Sequence, residues 1–146
     1  MSQQLTADML PSFGDHYLIK YEVDCAARQI RLWFEAPAWS IEEGTPKTRT
    51  VLFDGVEGYH LESDAFGNIV LSLETVPVRQ ILSKHGPQIA ESFRLTGAFG
   101  SWPADLGAAC DVLESQGVRG FVLEPTMGLM GWILAKAFFV TVVRSD

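Results

Sequence analysis

Four carboxylates, Asp54, Glu57, Glu62 and Asp64, fall within eleven residues of the chain. Acids this close can divide general acid and base roles, or hold a hard cation through their oxygens. Here they flank Asp54-Gly55 and Glu57-Gly58, pairs typical of turns, and the spacing is not that of a calcium loop. The expectation is a field of solvated charge, with no catalytic pair and no metal site. The histidines His16, His60 and His85 are isolated in sequence and no CxxC occurs, so no zinc centre is expected. No serine sits in a GxSxG elbow, and neither GxGxxG nor a Walker A loop is present. The nearest glycine spacing, Gly128 to Gly131, is too short. No cofactor is expected and no catalytic residue is nominated. Cys25 and Cys110 lie far apart among apolar neighbours and read as reduced, packed thiols.

Large rings are the other feature that could recognise something. Trp33, Trp39, Phe66, Phe99 and Trp102 fall in predicted loops or on polar faces. Such rings either close the open ends of a small sheet, the commoner use, or meet a partner. The candidate partner-binding set is therefore Asp54, Glu57, Glu62, Asp64, Trp33, Trp39, Phe66 and Trp102.

These residues need elements to position them. Tyr17, Ile19, Tyr21, Val23 and Cys25 alternate with Lys20, Glu22 and Asp24, which predicts a half-buried strand. Ile30, Leu32 and Phe34 predict a second, joined through Ala26-Ala27 by a turn that lacks the usual glycine or asparagine. Residues 37–47 carry two prolines and a glycine and read as a loop. Residues 48–54 and 59–62 read as two strands parted by the acid–glycine turns. Residues 63–68 then turn the chain into a hairpin strand, 69–76, with Ile69, Leu71 and Leu73 on one face. The first half is thus expected to be a meander. The period then changes. Val78, Ile81, Leu82 and His85 predict a short helix ending at Gly86-Pro87, with Ile89 and Phe93 continuing its face after a break. Residues 97–102 read as a loop. Pro103 opens a helix to Gln116 that buries Leu106, Ala109, Cys110 and Leu113 and stops at Gly117. Residues 120–123 and 132–143 return to strand.

Residues 127–143 form an apolar run with one charge, Lys136. A spanning helix needs ~20 apolar residues, and a central lysine costs about 2.5–3.5 kcal/mol against gains of roughly 0.3–0.6 for each large aliphatic or Phe. The run reads as a buried strand. Residues 1–15 lack the basic and apolar regions of a signal peptide, which makes the cytoplasm the default compartment. At 146 residues and 47% hydrophobic content the chain suits one domain, 1–146, with a substantial core. Eighteen acids against eleven Lys and Arg give a net charge of −7, which argues against a nucleic-acid surface.

Two passages carry a likeness. FDGVEGYHLESDAFGNIVLSL, residues 53–73, resembles the strand–turn–strand core of small bacterial domains, some of them similar to immunity proteins that accompany toxins. GLMGWILA, residues 128–135, resembles the glycine-hinged strand entry near the C-terminus of similar proteins. The resemblance implies a bacterial accessory domain without catalysis, and it supplies no functional residue.

The fold expected is α+β: a largely antiparallel sheet of six or seven strands with two or three helices packed on it. The function expected is a non-catalytic partner-binding module of immunity type. Its negative charge would steer a basic protein partner such as a toxin, with neither nucleic acid nor membrane involved. The alternative is a small-molecule-binding protein or hydrolytic enzyme with a pocket between sheet and helices.

Overall fold

A computed structural model describes residues 2–5, 9–42, 46–96 and 102–143. The strands among them are β1 (Ser2–Leu5), β2 (Tyr17–Asp24), β3 (Gln29–Glu35), β4 (Thr48–Glu62), β5 (Asn68–Val76), β6 (Arg119–Met127) and β7 (Met130–Val143). Helices α1 (Val78–Thr96) and α2 (Leu106–Ser115) lie between β5 and β6, and a 3-10 turn spans Ala38–Ser40. Every strand pairing is antiparallel. The sheet closes: β7, β4, β3, β2, β5 and β6 follow in order, and β6 returns to β7. Six strands form a barrel, and β1 adds to the far part of β7, opposite residues 140–143.

Local chemistry explains the joins. The β2–β3 turn dispenses with glycine because Asp24 Oδ1 accepts the Ala27 amide at 2.9 Å and Arg28 takes a positive φ of 56°. The acid–glycine pairs predicted as turns are kinks in one continuous strand. Gly55 has φ 63°, and the register with β7 shifts between Val56 and Gly58. These kinks change which face points inward, from Val51 and Phe53 to Val56 on β4, and from Phe138 and Val140 to Ala135 and Ile133 on β7.

The expected hairpin between residues 59–62 and 69–76 does not form. After Glu62 the chain crosses to pair β5 with β2 and β6, while β4 keeps β7. Ladder irregularities at Ile69/Val70 and Val70/Ser72 also break the predicted face. Val70 and Leu73 are buried, whereas Leu71 is exposed. In β2 a bulge at Ile19 has the same effect, burying Leu18 in place of Tyr17 and Ile19. Cys25, expected to be packed, is exposed; Cys110 is buried, and burial raises its thiol pKa.

Two cores result. One fills the barrel with residues such as Phe34, Phe53, Phe121 and Phe138. The other lies outside it, where Ile81, Leu82 and Ile89 of α1, Cys110 and Leu113 of α2, and Trp132 and Leu134 of β7 pack together. The predicted helix break does not occur, since α1 runs through Pro87. Helix α2 begins after Pro103, at Leu106, because Asp105 caps it by accepting the Ala108 amide at 3.1 Å. Gly117, at φ 77°, ends it as expected. No helix among the described residues is long and apolar enough to cross a membrane. Residues 127–143, read as one apolar strand, are the end of β6, a turn and β7.

Candidate functional site

The two ends of β3 lie in different surroundings. At its Phe34 end the barrel is plugged: Phe13 stacks on Phe34 with ring centroids 4.2 Å apart, and Arg49 sits over Phe13 at 4.5 Å. Arg49 also donates to Ser12 O at 3.1 Å and to His16 Nε2 at 3.0 Å, while His16 Nδ1 donates to Gly14 O at 3.1 Å. That pattern needs neutral His16, and burial, ahead of the Arg49 charge, lowers its pKa below the ordinary 6.5. At the Ile30 end the barrel is open. Val23, Ile30, Val56 and Tyr59 line a cleft of about 290 Å³ there, with Asp24, Cys25 and Arg28 beside them.

A second cleft, of about 480 Å³, follows from the stagger of β2 and β5. They pair only at Tyr17–Ile69 and Leu18–Asn68, so from Ile19 onward β2 runs past the start of β5. Tyr17 to Tyr21 form one wall and Asp64 with Phe66 to Asn68 the other. Asn68 holds that second wall. Its buried Oδ1 accepts the Ala65 and Leu129 amides, and its Nδ2 donates to Asp64 Oδ1. Gly128, at φ 94°, is required beside it, since a Cβ there would overlap Asn68 Oδ1.

The four acids do not converge; each has a different partner. Asp54 accepts from Gln29 Nε2 at 3.2 Å. Glu57 has a side chain only 10% exposed and is clamped by Arg28 at 3.1 Å and Lys136 at 3.7 Å. Glu62 meets His60 at 3.2 Å. Asp64 accepts from Asn68, the Phe66 amide and Tyr21 Oη, which together hold its carboxyl below the usual range, and the bond to Asp64 in turn raises the Tyr21 phenol. Glu57 borders the mouth cleft, where its carboxylate neighbour is Asp24, and Asp64 borders the seam cleft, so no two of the four acids share a cavity.

The aromatic candidates separate just as clearly. Phe66 is 97% exposed and Trp39 78%. Trp33 is half-buried under Lys20, whose Nζ lies 4.4 Å from the ring centroid. Trp102 is 4% exposed and packs over Gly58 in the helix–barrel core, so this ring closes the sheet and offers no face to a partner. Phe99 lies outside the described residues. Sequence reading missed Tyr17, Ile19, Leu71 and Met127, all exposed apolar residues. Ordinary strand alternation hid the first three; only the bulges reveal them.

Between sheet and helices the space is largely packed. A crevice of about 100 Å³ remains at the edge, lined by Glu74, Lys84, His85 and Glu124 and by none of the four acids. His60 lies near Gln88 Nε2, at 3.5 Å, and the His85 ring is 5.9 Å from Trp132. No group of three or more His, Cys, Asp or Glu among the described residues could hold a metal ion. No family model, no curated protein and no solved structure matches the chain.

Proposed function

We propose that the protein is a non-catalytic binding module whose working surface is the seam between β2 and β5. The observation that carries this reading is where the exposed apolar side chains gather. Tyr17 and Ile19 stand on β2 and Phe66 on the opposite wall, with Leu71 on β5 and Met127 on β6. The ladders place Tyr17 opposite Ile69 and Ile69 opposite Met127, making one row across three strands. Isolated exposed apolar residues need no explanation, but a row of them beside an incompletely paired strand suits a protein partner. The net charge of −7 supports a basic partner, attracted as a field and then held by apolar contact. The likeness of residues 53–73 and 128–135 to immunity-type domains fits a toxin-like partner. Separate engagement of the four acids supports structural and electrostatic roles for them over acid–base chemistry.

Photo-cross-linking in source cells tests the reading. A benzophenone side chain at Phe66 is expected to capture a protein other than this chain, and the same group at exposed Leu95 on α1 is not. Equal capture at both sites, or none at Phe66, overturns it.

The mouth cleft supports a second reading. Its walls are mostly apolar and its volume is near the lower end for small-ligand pockets, ~300 Å³. A small apolar ligand there would be reported by quenching or enhancement of Tyr59 fluorescence on binding.

A further inference from the structure

The free edge of β2 has a sequence that is complementary to itself. From Ile19 to Asp24 no strand among the described residues pairs with this edge, and the seam cleft lies alongside it. An exposed edge is a template for another strand about 4.8 Å away. We propose that the occupant is the β2 edge of a second copy, paired antiparallel about a two-fold axis through Tyr21.

Charge selects this register. In a symmetric antiparallel pair whose sheets run on smoothly, directly opposed residues point to the same side, so a residue must meet one an even number of places away. Centring on Lys20 sets that lysine against its own copy, and centring on Glu22 does the same for that glutamate. Like charges directly opposed are destabilising. Centring on Tyr21 avoids both. Lys20 then faces Glu22 of the second copy, Glu22 faces its Lys20, and the two Tyr21 residues are opposed on the axis, each with its hydroxyl on Asp64 of its own chain. Lys20 and Glu22 are well placed for this, since both side chains are about 60% exposed and only 3.9 Å apart within one copy. Such a weak internal contact exchanges readily for two between copies. The two-fold pairs the β2 edge of each copy with that of the other, so this contact closes on itself and does not propagate as a filament.

The second copy and the proposed partner use the same β2 edge, but the two readings fail separately, because this test needs only the purified full chain. Sedimentation equilibrium is expected to find a dimer for the wild type at micromolar to submillimolar concentration. Lys20→Glu and Glu22→Lys should each weaken it at least tenfold, because each creates two like-charge oppositions. Mixing the two variants in equal amounts restores association, since one chain then carries two acids and the other two lysines. The double variant K20E/E22K also restores it. Restoration shows in addition that the single variants are folded. A wild type that stays monomeric at about 1 mM, weaker than ~4 kcal/mol of association, overturns the proposal. So does a dimer indifferent to both charge reversals.

Discussion

The plugged end of the barrel and its open end use similar residues for different purposes. At the Phe34 end, Phe13 stacks on Phe34, Arg49 lies over Phe13 and donates to His16, and the His16 ring stands edge-on to Phe13. At the Ile30 end no ring is laid across the mouth: Ile30 and Val56 are buried, but Val23 and Tyr59 at the rim stay partly in water. The difference teaches where stability and accessibility have been separated. One end is closed by a local segment brought across it, the other only narrowed by the Arg28–Glu57–Lys136 clamp.

Removing the plug should have the largest effect. Phe13→Ala is expected to cost about 3–5 kcal/mol, because it empties a fully buried ring site and strips Arg49 of its aromatic face. Urea unfolding measures this, and a loss under ~1 kcal/mol would equate the two ends. Asn68→Ala comes next. It leaves the Ala65 and Leu129 amides without their acceptor, at about 1–3 kcal/mol for a buried group left unpaired, and should loosen the seam wall. Faster amide exchange at Leu129 is the sign to look for.

The plugged end should also respond to pH. His16 has a lowered pKa, so the unfolded chain takes up the proton first as pH falls. Stability is therefore full above about pH 6.5 and declines as the pH drops through that value toward the folded pKa. His85, also lowered, chiefly by burial and then by Lys84 and His60, adds a slope of the same sign. His16→Gln should flatten the dependence only in part, and an unchanged slope would assign all of it elsewhere. Smallest of all is Tyr59→Ala at the open end, expected to change stability by no more than about 0.5 kcal/mol.

Much of the scaffold was legible because alternation and period carry it. Ile30, Leu32 and Phe34 are buried as expected, as are Ala109, Cys110 and Leu113. The barrel was not legible, since closure depends on β5 leaving β4 for β2, a pairing without a local signature. Bulges misled the reading of β2 and β5, because one extra residue reverses every face beyond it. The site suffered most. Proximity in sequence grouped four acids that a kinked strand distributes to separate partners, and buried Trp102 looked like a loop aromatic. The seam row arises from strand stagger, which no spacing rule reports.

Strand β7 carries a temporal consequence. It pairs with β4 along its length and gives its other edge to both β6 and β1, so three strands depend on the one made after them all. During synthesis the β2–β3–β4 meander can form early, yet its inner face of Ile30, Leu32, Phe34, Val51 and Phe53 stays unsealed until β7 emerges. Distant pairings of this kind are slow to form and expose apolar surface meanwhile. The nascent chain is thus most vulnerable to aggregation and to chaperone capture in the interval between completing β4 and releasing β7.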